Sequence, residues 1–165
     1  HALDTFAIPA EGREALDIGA STGGFTDVLL RRGAAHVVAV DVGHNQMDWR
    51  LRSDPRVSCL ERINGRHLGA DDLPADHRQF YIVTADVSFI SLRYILPVVP
   101  PLLRPGADVV VLVKPQFEAG RDEVGKHGVV RDEAVRARVL AEIIAAAGAL
   151  GLAVQAHTAS PIEGM

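Results

Sequence analysis

Charged side chains stand at the ends of four apolar segments of the sequence. Asp17, Asp41, Asp86 and Lys114 each close a run of small and β-branched residues typical of strands. In an open parallel sheet, ligands bind beyond the carboxyl ends of the strands, so we expect the four groups to face one cleft. Carboxylates accept hydrogen bonds from hydroxyl groups, and a lysine orients or deprotonates them. Such a set is difficult to attribute to solubility alone.

A glycine-rich turn follows the first of these strands and precedes a segment with helical periodicity. Glycines there let a ligand approach backbone amides that no side chain shields. A dinucleotide fingerprint needs a second glycine two residues after Gly19, but Ser21 holds that position. Asp17 would repel a pyrophosphate and pair with a cationic amino-acid group, which favours S-adenosylmethionine (SAM) over NAD. The candidate contacts are Asp17, Gly19, Ala20, Ser21, Thr22, Gly23, Gly24 and Phe25.

Two further residues are candidates for binding the nucleoside. Asp41 comes about twenty residues after the glycine turn, where an acid accepts the ribose hydroxyls in NAD and SAM sites alike. The alternative for Asp41 is a helix cap for the segment after Gly43. Asn64 follows the third strand, where its amide would pair with the edge of adenine. A plain Asx-turn accounts for Asn64 equally well.

Asp86 and Lys114 form the second half of the predicted site. An acid and a base at neighbouring strand ends would meet across the cleft, over the methyl group of the cofactor. Asp86 is therefore a candidate for both catalysis and cofactor binding, and Lys114 would orient or activate a substrate hydroxyl. A structural salt bridge at the sheet edge is the alternative, because opposite charges stabilise each other's ionised forms.

The elements that must position these residues alternate along the chain. This alternation predicts an α/β fold with a doubly wound, mostly parallel sheet. The predicted strands are Ala15–Ile18, His36–Val40, Val57–Leu60, Phe80–Ala85, Ala107–Val113 and Ala153–Thr158. The predicted helices are Phe25–Arg32, Gln46–Arg52, Leu92–Leu103 and Asp132–Ala147. The long polar connection from Pro115 to Val130 is either functional, closing over a substrate, or a plain surface loop.

Composition narrows the class of protein. A chain of 165 residues with 48% hydrophobic residues suits one domain, residues 1–165, with a sizeable core. We expect no membrane segment, because no apolar run approaches the roughly 20 residues of a membrane span. The single cysteine, Cys59, is typical of a protein from a reducing compartment, so we expect a cytoplasmic location. The histidines lack metal-ligand spacing, so we expect no metal. A net charge of −4 gives no direct support for nucleic-acid binding. The one basic concentration, either a solvated face or a phosphate contact, is Arg50, Arg52, Arg56, Arg62 and Arg66.

Several segments together resemble the FtsJ-like ribose 2′-O-methyltransferases, in particular their TlyA (hemolysin A) branch. The resemblance extends in family order over nearly the whole chain, and the Lys-Pro-Gln-Phe-Glu segment is quite specific. The matching segments are Ala15–Thr26, Ala39–Gly43, Asp86–Leu92, Val113–Glu118, Gly128–Asp132 and Ser160–Ile162.

The resemblance implies a Rossmann-like class I SAM-dependent methyltransferase fold and methyl transfer to a cytidine 2′-hydroxyl of ribosomal RNA or a ribosomal subunit. It further implies a Lys-Asp-Lys-Glu tetrad, in which Asp86 matches the aspartate and Lys114 the second lysine. The first lysine is expected before His1 and the glutamate after Met165, so the fold is expected to be C-terminally truncated. Glu163 is out of register and is not assigned. An N-terminal RNA-binding domain of the ribosomal-protein type is also expected outside this chain.

Other classes of function stay open from the sequence alone. The chain could be a SAM- or RNA-binding module without catalysis, since two members of the implied tetrad fall outside it. An NAD-dependent oxidoreductase is disfavoured by Ser21. A hemolysin is disfavoured by the lack of a membrane-spanning stretch or a basic amphipathic helix.

Overall fold

Five parallel strands form one sheet in the order β3-β2-β1-β4-β5. The computed structural model describes residues His1–Ile162; Glu163, which was not assigned to the tetrad, lies outside the described residues. Every strand pairing among the described residues is parallel, as the alternation of elements predicts. The strands are β1 (Glu14–Ile18), β2 (His36–Val40), β3 (Val57–Leu60), β4 (Phe80–Ala85) and β5 (Leu103–Val111).

Residues 1–162 contain five α-helices, of which α2 connects β1 to β2 and α3 connects β2 to β3. Of these, α5 begins where Asp132 accepts hydrogen bonds from the amides of Ala134 and Val135, the capping role expected of an aspartate. It ends before Gly151, whose positive φ of 81° lets the last carbonyl groups be satisfied by a Schellman turn. The helices are α1 (Ala2–Thr5), α2 (Gly24–Arg31), α3 (Trp49–Arg52), α4 (Pro115–Glu118) and α5 (Glu133–Ala149).

Apolar side chains cover both faces of the sheet. On one face, Leu16 and Val38 pack with Ile143 of α5 and with the turns that follow β4. On the other face, Ala15 and Val37 pack with the buried leucines of α2. Strands that are covered on both faces have nearly continuous apolar sequences. The predicted doubly wound sheet is therefore confirmed.

Two predicted elements are wrong. Leu92–Leu103 is not an α-helix but three short 3₁₀ turns, because Pro97, Pro100 and Pro101 lack the N–H groups that a continuous helix requires. Ala153–Thr158 is not a strand in the described part of the chain, since it pairs with no other strand there. A strand requires a partner for its backbone groups, which its own residues do not reveal.

Two other predictions differ in extent. The helix predicted over Gln46–Arg52 is limited to α3, whose first turn is capped by Asp48. The connection from Pro115 to Val130 contains α4 and two 3₁₀ turns rather than an unstructured loop. Within residues 1–162, no helix combines the length and the apolar character needed to cross a bilayer.

Candidate active site

The glycine-rich turn after β1 is held in an unusual backbone conformation. Gly19, Ser21 and Gly23 all have positive φ angles, of 82°, 50° and 99°. A Cβ atom on Gly19 would collide with the carbonyl oxygen of Asp86, so only glycine lets the turn lie against the end of β4. The turn then leads into α2, and the first N–H groups of any helix have no partner inside it. The start of α2 thus offers backbone donors at the far end of the turn that lies against Asp86.

Asp17 lies beneath this turn and is fully buried. Its carboxylate accepts hydrogen bonds from the hydroxyl groups of Thr26, at 2.7 Å, and Thr84, at 2.8 Å. Burial raises the pKa of Asp17 to about 6, although both threonine hydroxyls act to lower it. The expectation that Asp17 pairs directly with a cationic group of the ligand needs correction, because an enclosed carboxylate presents no oxygen to the cleft. Its observed contacts make it a support for the turn.

Asp41 follows β2 and is tied to the same turn. Its two carboxylate oxygens accept hydrogen bonds from the amides of Ser21, at 2.8 Å, and Gly43, at 2.6 Å. Asp41 is half-buried, and a carboxylate has lone pairs for about four hydrogen bonds. Two acceptor positions are thus left for a ligand at the cleft edge.

Asn64 forms the Asx-turn that was the alternative to base recognition. Its Oδ1 accepts a hydrogen bond from the amide of Arg66 at 3.0 Å and caps a 3₁₀ turn over Gly65–His67. The side chain is exposed at the end of β3, on the same edge of the sheet as Asp41. Contact between Asn64 and an adenine stays a prediction.

Asp86 and Lys114 meet as predicted. The Lys114 ammonium lies 2.5 Å from Oδ1 of Asp86, and its directional hydrogen bond is donated to Oγ of Ser88 at 2.9 Å. Asp86 directly follows β4, whereas Lys114 comes three residues after the end of β5. Both side chains are partly exposed, at 34% and 22%, so a substrate has access to the pair.

The structure adds residues to the site to which the sequence reasoning had assigned no role. Ser88 holds Lys114, and Glu118 bonds the loop after β4 through Ser91 and Leu92. Phe89 is 92% exposed and has a positive φ of 63°, which is uncommon for an aromatic residue. The signal was present in the sequence, because all of these residues belong to the two segments quoted for the family resemblance.

The predicted basic concentration is mostly neutralised. Arg50 and Arg56 pair with neighbouring aspartates at 3.1 Å and 2.8 Å, and Arg52 pairs with Glu61. Arg62 and Arg66 have no ion pair within the described part of the chain. Of the five arginines of this group, Arg62 and Arg66 therefore keep a charge without an ion pair in the described part of the chain.

Comparison with protein families decides what kind of protein this is. The model of the FtsJ-like methyltransferases matches residues 1–165, the whole chain. The chain belongs to the FtsJ-like methyltransferase family. Membership in this family agrees with the preference for SAM over NAD drawn from Ser21, and it decides against an oxidoreductase.

Individual relatives agree with the family assignment. The chain is 50% identical over 163 residues to the 16S/23S rRNA (cytidine-2′-O)-methyltransferase TlyA of Mycobacterium tuberculosis H37Rv, covering 99% of this chain and 60% of that protein. A solved structure from Streptococcus thermophilus, provisionally named a hemolysin, superposes with a TM-score of 0.86 at 47% identity. That alignment covers 91% of this chain and 54% of the other. The chain thus spans little more than half the length of these relatives.

A more distant structure places the fold in a wider class. A SAM-dependent methyltransferase from Mesorhizobium loti superposes with a TM-score of 0.56 at 21% identity, over 72% of this chain and 54% of that chain. At this identity the likeness concerns the fold alone. The predicted Rossmann-like methyltransferase fold is confirmed, and the FtsJ-like domain here has its glycine turn and its strand-end charges on one edge of the sheet.

Proposed function

We propose that this FtsJ-like domain transfers a methyl group from SAM to a ribose 2′-hydroxyl of ribosomal RNA, at a cytidine. The observation that carries the proposal is the close approach of Gly19 to Asp86, which puts the cofactor turn beside the Asp86–Lys114 pair. Membership in a methyltransferase family supports the reaction type. The choice of cytidine and of ribosomal RNA rests on the relative from Mycobacterium tuberculosis.

The residues of the turn fit SAM. The N–H groups at the start of α2 and the positive end of its dipole suit the carboxylate of the methionine part. The turn from Gly19 to Phe25 would hold that part, and Asp41 would accept hydrogen bonds from the ribose hydroxyls with its remaining lone pairs. Asp17 would act from below by fixing Thr26 in the first turn of α2. When bound, SAM supplies a methyl group activated by a sulfonium centre.

Lys114 would act on the accepting hydroxyl group. An ammonium held by both Asp86 and Ser88 has a fixed direction, and its remaining proton can be donated to a hydroxyl oxygen. We infer an orienting role: the ammonium would hold the hydroxyl oxygen in line with the methyl group, and the hydroxyl proton would pass to water as the O–C bond forms and the S–C bond of SAM breaks. A 2′-hydroxyl is a poor nucleophile, so alignment and local electrostatics should provide most of the acceleration.

The distribution of charge supports an RNA partner despite the acidic composition. Most lysines and arginines are paired with carboxylates, so they add little net field. Within residues 1–162, the cations without such a pair follow β3 or α4, and both segments lie beyond carboxyl ends of strands. Side chains that are free of an intramolecular ion pair can contact the phosphate groups of an approaching RNA. These cations are Arg62, Arg66, Arg121, Lys126 and Arg131.

Phe89 would provide a stacking surface for a base. Its ring is almost fully exposed three residues after Asp86, and it contacts Phe117 with ring centres 5.2 Å apart. Aromatic side chains stack on unpaired bases with little dependence on sequence. A nucleotide displaced from its helix would thus have its base on Phe89 and its ribose near Lys114.

A direct experiment tests this function. The full-length gene product is incubated with SAM carrying a tritiated methyl group and with ribosomal subunits from a strain lacking the enzyme. We expect label in the RNA and resistance of the modified ribose to alkaline hydrolysis, because a 2′-O-methyl group blocks cleavage. Binding of SAM without transfer to either subunit would instead identify a binding module without catalysis. Transfer to a base rather than a ribose would refute the proposed acceptor.

A further inference from the structure

Helix α4 carries Lys114 at its amino end and is too short to hold its own position. It has four residues, Pro115–Glu118, and Lys114 occupies the residue just before it. A single helical turn is unstable in isolation because nucleation costs more than its few hydrogen bonds return. The place of Lys114 must therefore depend on what α4 contacts.

Glu118, at the other end of α4, makes two of these contacts. Its carboxylate accepts a hydrogen bond from the hydroxyl group of Ser91 at 2.5 Å and from the amide of Leu92 at 2.7 Å. Leu92 is buried in the core, so the anchor on that side is rigid. Glu118 is itself half-buried, which strengthens hydrogen bonds to a carboxylate.

The partners of Glu118 belong to the segment that also carries Asp86. This segment, the Asp86–Leu92 loop, contacts α4 at three places: Lys114 meets Asp86 and Ser88, Phe117 meets Phe89, and Glu118 meets Ser91 and Leu92. The first contact is partly exposed and the second involves a ring that is almost fully exposed. Of these three contacts, the one made by Glu118 reaches a core residue, and α4 also packs against α5.

We propose that Glu118 is a positioning residue, which fixes α4 on the Asp86–Leu92 loop and so holds Lys114 at the distance from Asp86 and Ser88 that methyl transfer requires. The inference rests on the proposed function for its catalytic consequence. The two hydrogen bonds that fix Glu118 to Ser91 and Leu92, called the brace below, belong to the folded chain. They are therefore testable without any reaction. Glu118 touches neither the reacting groups nor the proposed cofactor site.

Hydrogen exchange tests the brace. In the full-length gene product, Glu118→Ala should raise the exchange rate of the Leu92 amide about tenfold or more and increase exchange through the Asp86–Leu92 loop. The matched control is Glu123→Ala, since Glu123 likewise accepts from a backbone amide, that of Gly120, and from the side chain of Arg138. The control should change exchange only near its own contacts. Unchanged exchange at Leu92 in folded Glu118→Ala would overturn the proposal.

Kinetics test the consequence. A displacement of about 1 Å at a reacting group costs up to about 100-fold in rate, so Glu118→Ala should lower kcat 10- to 100-fold with the KM for SAM changed less than twofold. Glu118→Gln should recover most of the rate, because its amide oxygen accepts from Leu92 and its amide nitrogen donates to Ser91. A positioning role would be contradicted if Glu118→Ala and Glu118→Gln lost equal factors in kcat. It would also be contradicted if the KM for SAM rose by the same factor as kcat fell.

A smaller change covers the case in which Glu118→Ala fails to fold. Ser91→Ala removes one of the two bonds, together with the acceptor of the Arg93 amide, and should give part of the effect expected for Glu118→Ala on exchange of the Leu92 amide and on kcat. If both the exchange rate of the Leu92 amide and kcat are unchanged in Ser91→Ala, the proposal is overturned. If the unsubstituted protein transfers no methyl group, the proposed function fails, while the exchange measurements still decide whether Glu118 holds the loop.

Discussion

The two halves of the candidate active site are built in different ways. Around β1 and β2, the surface that would meet a cofactor is mainly backbone: Gly19 and Gly23 shape it, and the buried Asp17 supports it from below. Around β4 and β5, the surface is made of side chains, with Asp86 and Lys114 partly exposed. The first half is preformed by packing, whereas the second depends on contacts between the Asp86–Leu92 loop and α4.

This difference predicts how substitutions act. Changes in the backbone half should reduce cofactor binding and stability together, because the same atoms shape the turn and fill the core. Changes in the side-chain half should reduce the rate and leave stability almost intact, because exposed charges contribute little to folding. Four substitutions test this distinction, and they follow in order of expected effect.

Replacing Lys114 with alanine should have the largest effect. We expect methyl transfer to fall by about 1,000-fold or more, which corresponds to about 4 kcal/mol of the activation barrier. The affinity for SAM, measured by calorimetry, should stay within about threefold of the original. An equal loss of affinity and rate would show that Lys114 is structural and that the two halves are not separable.

Gly19→Ala should damage both binding and stability. The left-handed backbone and the collision with the carbonyl oxygen of Asp86 together should cost about 2–5 kcal/mol of unfolding free energy. Urea denaturation and SAM titration measure the two losses. Gly24→Ala is the matched control for the loss of stability, since a Cβ at Gly24 meets open space at the start of α2 and should leave the unfolding free energy unchanged or slightly higher.

Asp17→Asn should change how stability depends on pH. The raised pKa of Asp17, about 6 against an ordinary 3.8, means that the folded state binds a proton more tightly than the unfolded state. Its stabilising contribution is complete below pH 3.8 and is lost as the pH rises through about 6. That loss amounts to at most about 3 kcal/mol, since one pKa unit corresponds to about 1.4 kcal/mol.

Asparagine keeps the shape of the buried side chain without this titration. The unfolding free energy of Asp17→Asn relative to the original protein should therefore rise between pH 4 and pH 7, as measured by urea denaturation at each pH. Asp76→Asn, which replaces an exposed carboxylate, is the control, and its unfolding free energy is measured at the same pH values. A constant difference across this range would mean that Asp17 does not titrate there.

Phe89→Ala should have the smallest effect on the domain itself. The ring is 92% exposed, so stability should change by less than about 0.5 kcal/mol. Loss of base stacking should raise the KM for RNA about 5- to 150-fold, since a stacked base is worth about 1–3 kcal/mol. Phe89→Trp should retain the RNA affinity. If Phe89→Ala and the original protein have the same KM for RNA, no base stacks on Phe89.

Local signals in the sequence predicted the strands well and the turns after β4 poorly. Central strands covered on both faces are marked by their own composition, as in His36–Val40, which matches β2. Leu92–Leu103 has apolar spacing that suits a helix, but its three prolines prevent one. The same limit applies to Ala153–Thr158, whose strand pattern finds no partner among the described residues.

The candidate site shows the same division between features that are local in sequence and features that depend on tertiary contacts. Residue types and spacing alone predicted that Asp41, Asp86 and Lys114 would stand on one edge of a sheet, since parallel strands end together. They also predicted a turn that lets a ligand reach the backbone. These features are local in sequence, or follow from the strand alternation.

Only the tertiary structure decided what each charge contacts. It enclosed Asp17 between the hydroxyl groups of Thr26 and Thr84, and it brought Glu118 to the Asp86–Leu92 loop. Spacing along the chain indicates the edge at which a side chain emerges. Burial and hydrogen-bond partners depend on residues up to 67 positions away, which meet only when the sheet is assembled.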